Sequence, residues 1–312
     1  MTIKEYERTA PILRGQVPIE GIEPNFLSFE MENFRKMLVD LEYDISEMSF
    51  SSYLIGKEIG VPIIAIPVFP NRRFRHGYIF VDTRGRIKEP RDLIGKKVGI
   101  PSYQPTALVW IRGILQNEYD VKPHQIKWFY DREREPLPIN LPENVSLQST
   151  GGVKKERLFL EGKLDALIDS NIPNIFEEHN PAIRRLFVDY RSVELDYYRR
   201  TGIFPIMHTI VVREELLKEN PWIPANLWKA FVEAKRASYR RMQDPRVSNL
   251  AWPHVYWEEE KVIFGNDLWP YNFKDNRKVL ETLAMYSAQQ SLIKKEPSLE
   301  NLFVRESLDF KE

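Results

Sequence analysis

Apolar positions in this chain fall into short runs divided by polar stretches, with segments of helical period between them. Residues 43–48 (YDISEM) predict a strand and 49–59 the helix that follows it. Residues 62–69 (PIIAIPVF) form a second apolar run, and 76–81 alternate with the period of two that marks a half-buried strand. A polar turn region is expected over 82–92. The runs 97–100 and 165–168 predict buried strands of another sheet, the second entered from a helix over 154–160 through Gly162, a helix terminator. Residues 131–151, rich in Pro, Asn and charge, predict a long surface excursion, and 206–212 (IMHTIVV) a further strand. From Pro221 onward the pattern is helical, with Leu227, Phe231 and Ala234 on one face. No internal repeat or low-complexity tract interrupts it.

Strands alternating with helices predict α/β architecture. At 312 residues the chain is long for one small core, so two lobes are expected. A β-rich block, an α/β block, a returning strand and a helical tail imply a discontinuous first lobe, residues 1–92 and 204–312, around a second lobe, 93–203. Two crossings between lobes make a cleft, where small ligands bind.

Composition narrows the partners. Forty-five basic and 45 acidic side chains cancel, which argues against nucleic acid and against electrostatic membrane anchoring. Without cysteine there is no disulfide, thiolate zinc site, iron–sulfur cluster or cysteine nucleophile, which fits a reducing compartment. The N-terminal segment MTIKEYERTAPILRG has no apolar run of signal-peptide length, and no segment approaches the ~20 apolar residues that span a bilayer. A cytoplasmic location is expected. A homo-oligomer is left open.

The densest chemistry lies over 74–119. FRHGYIFV predicts a strand headed by Arg75 and His76, and GKKVGIPSYQPTALVWIRGILQNEY a strand and a helix whose first turn is Tyr103-Gln104-Pro105-Thr106. Proline in a first turn gives up an N–H that has no intrahelical partner. The N–H groups of Thr106 and Ala107 then form the positive end of a helix, which with Arg75 and His76 suits a carboxylate. Ser49, Ser51 and Ser52 open an earlier helix and offer a second anion site, although helix capping explains them as well. Arg75 and His76 also fit an ordinary strand edge. His208, inside an apolar strand, needs a hydrogen-bond partner whether it is catalytic or a satisfied core residue. His124, His179 and His254 show no metal-ligand spacing, and no metal site is expected. H-E-x-x-H, P-loop and G-x-G-x-x-G patterns are absent from the sequence. The tryptophan-rich stretch 252–269 reads as packing of the helical tail.

The blocks EYERT, DISEMSFSSYL, IAIPVFPNRRFRHGYIFV, DLIGKKVGIPSYQPTALVWIRGILQNEY, GKLDALI, TGIFPIMHTIVV and GNDLWPYNF, in this order, resemble the 4,5-dihydroxyphthalate decarboxylase family. The resemblance covers nearly the whole chain. It implies a two-lobed α/β fold like that of type II periplasmic binding proteins, with a central ligand cleft and a helical C-terminal tail. It also implies removal of one carboxylate from a dihydroxylated phthalate to give protocatechuate, with a small aromatic carboxylate as substrate and no organic cofactor. Carried over residue by residue, it points to Ser49, Ser51, Ser52, Arg75, Tyr103, Gln104 and Thr106 for substrate binding and to His76 and His208 for catalysis. One histidine would protonate the ring carbon and the other orient a phenol oxygen, the assignment being open. The alternatives are a solute-binding or sensor protein that grips a carboxylate without chemistry, and an enzyme of this fold acting on another aromatic acid.

Overall fold

Apolar runs too short to bury themselves alone are joined into two sheets. The computed structural model describes residues 1–131 and 135–312, and positions 132–134 of the expected excursion lie outside the described residues. The strands are β1 (Ile45–Ser49), β2 (Ile63–Ile66), β3 (Ile79–Asp82), β4 (Lys97–Ile100), β5 (Lys127–Tyr130), β6 (Leu147–Ser149), β7 (Ala166–Ile168), β8 (Ile183–Arg185) and β9 (His208–Arg213). The first sheet has the order β1-β9-β2, with β9 antiparallel to both neighbours. The second has the order β6-β5-β4-β7-β3-β8. Its β6, β5, β4 and β7 are parallel, while β3 runs antiparallel to β7 and β8. This is a mixed α/β, two-lobed architecture.

The predicted strands at 43–48, 62–69, 97–100, 165–168 and 206–212 all appear, the one at 97–100 with the same bounds and the others with shifted or shortened ends. Arg75 and His76 precede the strand they were expected to head, because His76–Tyr78 make a 3₁₀ turn before β3 begins. β3 itself pairs within the six-stranded sheet. β6 sits inside the expected excursion as an edge strand. Short half-exposed strands such as β6 and β8 carry little apolar pattern, so neighbours rather than period make them strands.

The two chain segments that connect the sheets run side by side. Arg73 N–H donates to Pro205 O at 3.0 Å, Met207 N–H to Asn71 O at 2.8 Å, and Arg72 bridges antiparallel to Ile206. Helix Thr106–Tyr119 packs against this crossing, with every residue from Thr106 to Leu115 buried. Trp110, fully buried there, donates from Nε1 to Ile206 O at 2.8 Å. Its ring is thus removed from water without leaving its one donor unpaired, a burial that contributes about 1.5–3 kcal/mol. Gly113 on the same helix is required by close approach, since an added Cβ would enter the Tyr286 ring. The helices Ile223–Met242, Pro253–Phe264 and Phe273–Gln289 form the tail. Among the described residues no helix is long and apolar enough to cross a membrane.

Candidate functional site

Strand alternation decides what the first sheet offers to the cleft. In β1, Ile45 and Glu47 point to the same face, which continues through Ile210 and Val212 of β9 into an apolar cluster. Glu47 thus occupies an apolar-phase position with no solvent exposure. A buried carboxylate is costly unless hydrogen-bonded. Its partners are Tyr6, whose hydroxyl donates to Oε1 at 2.7 Å, and Lys4, whose N–H donates to Oε2 at 2.9 Å. The third is Nδ1 of His208, 2.5 Å from Oε1. Glu47 accepts in each contact, so Nδ1 carries the proton. His208 opens β9 directly opposite Ser49, two pairs along from the Glu47–Ile210 pair. Its Nδ1 being held by Glu47, Nε2 is the nitrogen left for the cleft that His208 lines. Burial, then the Glu47 charge, pushes the Tyr6 phenol far above its ordinary value, so it remains a donor.

The cleft has a volume of ≈ 150 Å³. An aromatic wall of Phe29 and Phe34 stands on one side, the Phe34 ring edge-on to His208 with centroids 5.2 Å apart. Arg75 enters from the segment joining the sheets. Its Nη1 donates to Ser170 O at 2.9 Å and its Nε lies 3.2 Å from Met207 Sδ. Burial lowers the guanidinium to about 10, still a cation at neutral pH. Lys4 and Arg73 add exposed positive charge at the rim, against which stands Asp169. Cations beside a planar aromatic wall suit an aromatic carboxylate.

The serines do something more than cap. Ser49 Oγ lies 2.9 Å from Thr106 Oγ1, and Ser51 Oγ donates to Gln104 O at 2.6 Å. Ser51 N–H donates to Thr106 Oγ1 at 3.0 Å, and Ser52 Oγ to Gln104 Oε1 at 3.2 Å. Together they tie the helix Phe50–Glu58 to the start of helix Thr106–Tyr119. Phe50 N–H is also taken, by Met207 O at 3.0 Å. The first helix start is therefore largely occupied by the protein itself, while Ser49, Ser52 and Thr106 still line the cleft. Pro105 is the N-cap of the second helix rather than part of its first turn, so Thr106 and Ala107 present first-turn N–H groups that have no intrahelical acceptor.

Tyr103 and Gln104 build that helix start from behind. The backbone N–H groups of Tyr103 and Gln104 both donate to Glu135 Oε1, the second at 3.1 Å. The Tyr103 ring is fully buried beneath the Arg112 guanidinium, 3.6 Å from ring centroid to Cζ, and Gln104 Nε2 donates to Leu137 O at 3.1 Å. Burial raises the Glu135 carboxyl above its usual range.

His76 is set apart from the cleft lining. It is buried between Phe187 and Tyr197, with ring centroids at 5.5 and 5.3 Å, and its Nδ1 has no hydrogen-bond partner among the described residues. Glu194 lies 3.9 Å from that nitrogen. Burial, then the Arg200 charge, lowers His76 to about 4, and burial raises Glu194 to about 7. The structure thus brings together Ser49, Ser52, Arg75, Thr106 and His208, supports them with Ser51, Tyr103 and Gln104, and adds Glu47 and Tyr6, which sequence reasoning passed over. The missed signal was a glutamate at an apolar-phase position of a strand.

No protein-family model matches the chain. It is 35% identical over 291 residues to a 4,5-dihydroxyphthalate decarboxylase of Comamonas testosteroni, spanning 90% of this chain and 88% of that protein. It is 32% identical over 207 residues to a 4,5-dihydroxyphthalate decarboxylase of Pseudomonas putida, spanning 64% of this chain and 80% of that one. In structure it is similar to the periplasmic aliphatic sulphonate binding protein SsuA of Escherichia coli, with a TM-score of 0.54, 12% identity, and coverage of 91% and 88% of the two chains. A periplasmic sulfonate-binding SsuA of Methylobacillus flagellatus gives a TM-score of 0.56 at 13% identity, covering 97% and 86%. At such identities the structural likeness concerns the fold.

Proposed function

The chain belongs to the 4,5-dihydroxyphthalate decarboxylase family, a family of carboxy-lyases, and we propose that its substrate is 4,5-dihydroxyphthalate, converted to protocatechuate and CO2 in the cleft between the sheets. The observation that carries the catalytic part is the buried Glu47 holding Nδ1 of a half-exposed His208 at 2.5 Å beside the cationic Arg75. The reaction places a proton on the ring carbon and releases its carboxylate as CO2, the C–C bond pair restoring the ring. A hydroxyl para to the departing group supplies the electron density that makes this carbon basic. A general acid positioned over it contributes typically ~10²–10⁴-fold. His208 fits this part, because Glu47 holds its Nδ1 and so orients Nε2 toward the cleft.

Arg75 and the first-turn N–H groups of Thr106 and Ala107 would hold the retained carboxylate, with Ser49 and Ser52 beside them. Ser51, Tyr103 and Gln104 would act by fixing that helix start. Of the two histidines, His76 fits a neutral packing role that props the turn behind Arg75 better than a proton-donating one. The lobes would divide where the two crossing segments pair, so that β3 joins the second lobe and Asn71, Arg73 and Arg75 line the cleft.

The test is to mix the purified protein with 4,5-dihydroxyphthalate and follow substrate loss and protocatechuate together. Stoichiometric conversion supports the reading. Tight binding without product would favour a carboxylate-binding protein of the same fold, and no binding would rule out this substrate.

A further inference from the structure

The segment Asn71-Arg72-Arg73-Phe74-Arg75, bridged to the returning chain at Arg72, sends alternate side chains toward two cavities. Asn71, Arg73 and Arg75 line the catalytic cleft. Arg72 lines a second and larger cavity, ≈ 620 Å³, on the opposite side. Phe74 backs that cavity, packing on Phe204 at 4.8 Å and Phe264 at 6.3 Å between centroids. Tyr198, Phe204, Phe264 and Phe310 give the cavity aromatic walls, and Lys274 and Lys311 stand at its rim.

Arg72 is the unusual member. It is only 5% exposed, and its Nε has no hydrogen-bond partner among the described residues. Its Nη2 meets neutral acceptors, Asn276 Oδ1 and, at 3.5 Å, Pro270 O. The acids around the cavity are committed elsewhere. Lys235 neutralises Asp267 at 2.6 Å and also pairs with Glu312, while Asp275 accepts from Asn272 Nδ2 at 2.7 Å. A buried guanidinium without a carboxylate is unfavourable, and an anion delivered to it would relieve that cost.

We propose that this cavity is a second ligand site, for a small aromatic carboxylate whose carboxylate pairs with Arg72 and whose ring packs among Phe204, Phe264 and Tyr198. The site is independent of the catalytic reading and stands whatever the substrate of the first cleft is. Benzoate is the probe, since it has the ring and the charge and nothing else. Titration calorimetry with wild-type protein, Arg72→Met and Lys274→Glu measures it. One equivalent of bound benzoate should be present in wild type and lost in Arg72→Met, weakened about tenfold or more by the missing charge-assisted hydrogen bonds. Lys274→Glu, at an exposed position, should weaken the same equivalent by a smaller factor. Turnover in Arg72→Met should stay within about twofold of wild type. Benzoate binding that Arg72→Met leaves unchanged, or no benzoate bound beyond the catalytic cleft, overturns the proposal. Should Arg72→Met fail to fold, wild-type crystals soaked in benzoate decide. Density beside Arg72 Nε supports the site, and an empty cavity in a crystal with an occupied catalytic cleft overturns it.

Discussion

His208 and His76 both lie at the joints between the two sheets, yet their surroundings give them opposite properties. His208 opens β9 half-exposed, with Nδ1 held by a buried carboxylate and Nε2 toward the cleft. His76 is buried among aromatic rings with Nδ1 unpartnered, and burial lowers it to about 4. The first has one nitrogen anchored and the other toward the cleft, while the second is held neutral by burial. A histidine's role is thus set by the partner of its other nitrogen and by its access to water, neither of which is visible in its own sequence neighbourhood.

The sharpest way to break this contrast is to remove each ring. His208→Ala should lower kcat by ~10²–10⁴-fold with KM changed far less, as steady-state kinetics would reveal. Equal losses in both constants would give His208 a binding role. Next, Glu47→Gln keeps the shape but removes the charge that holds Nδ1 and orients the ring. A loss on the order of 10²-fold in kcat is expected, with a shifted alkaline limb in the pH–rate profile, the limb on which a general acid loses its proton. An unshifted profile would separate Glu47 from the proton transfer.

Arg75→Lys should act differently, raising KM about tenfold while leaving kcat near wild type, because a point charge replaces a planar fork. For His76 the contrast predicts stability rather than rate. Its folded value lies below the unfolded one, so the unfolded chain binds the extra proton between about 6.5 and 4 and wild-type stability falls as pH drops through that window. His76→Phe should remove that part of the acid sensitivity, worth up to about 3 kcal/mol, in thermal melts at pH 7 and pH 4.5. Glu194, raised to about 7, works the other way, since its contribution is lost as pH rises through 7. The smallest effect expected is Ser52→Ala, about 1 kcal/mol of stability from one interlobe hydrogen bond, read in denaturant melts.

Much of the fold was legible because long apolar runs such as PIIAIPVF and IMHTIVV state their burial outright. The edge strand β6 was not, since Leu147–Ser149 is mostly exposed and owes its conformation to β5. Sheet membership was equally hidden. Residues 76–81 read as a strand, of which 79–82 forms β3, but only the chain's path pairs it with β7 and β8. In the site, Arg75, Thr106, Ser49 and Ser52 were legible as chemistry-bearing residues at element ends, and His208 as a polar residue inside an apolar strand. What the sequence could not convey was direction. Tyr103 turns its ring under Arg112, Ser51 spends its hydroxyl on Gln104, and His76 points away from the cleft lining. Tyr6 and Glu47 meet across 41 residues and belong to a pair no local pattern connects.

The most direct test of the central claim is a single-turnover experiment in D2O with 4,5-dihydroxyphthalate bound to excess wild-type protein, His208→Ala and His76→Phe, each quenched over time and read by NMR. The account predicts protocatechuate carrying deuterium at the vacated carbon from wild type and His76→Phe at similar rates, and bound but unreacted substrate from His208→Ala. Product formed by His208→Ala at the wild-type rate, or abolished only in His76→Phe, would contradict it.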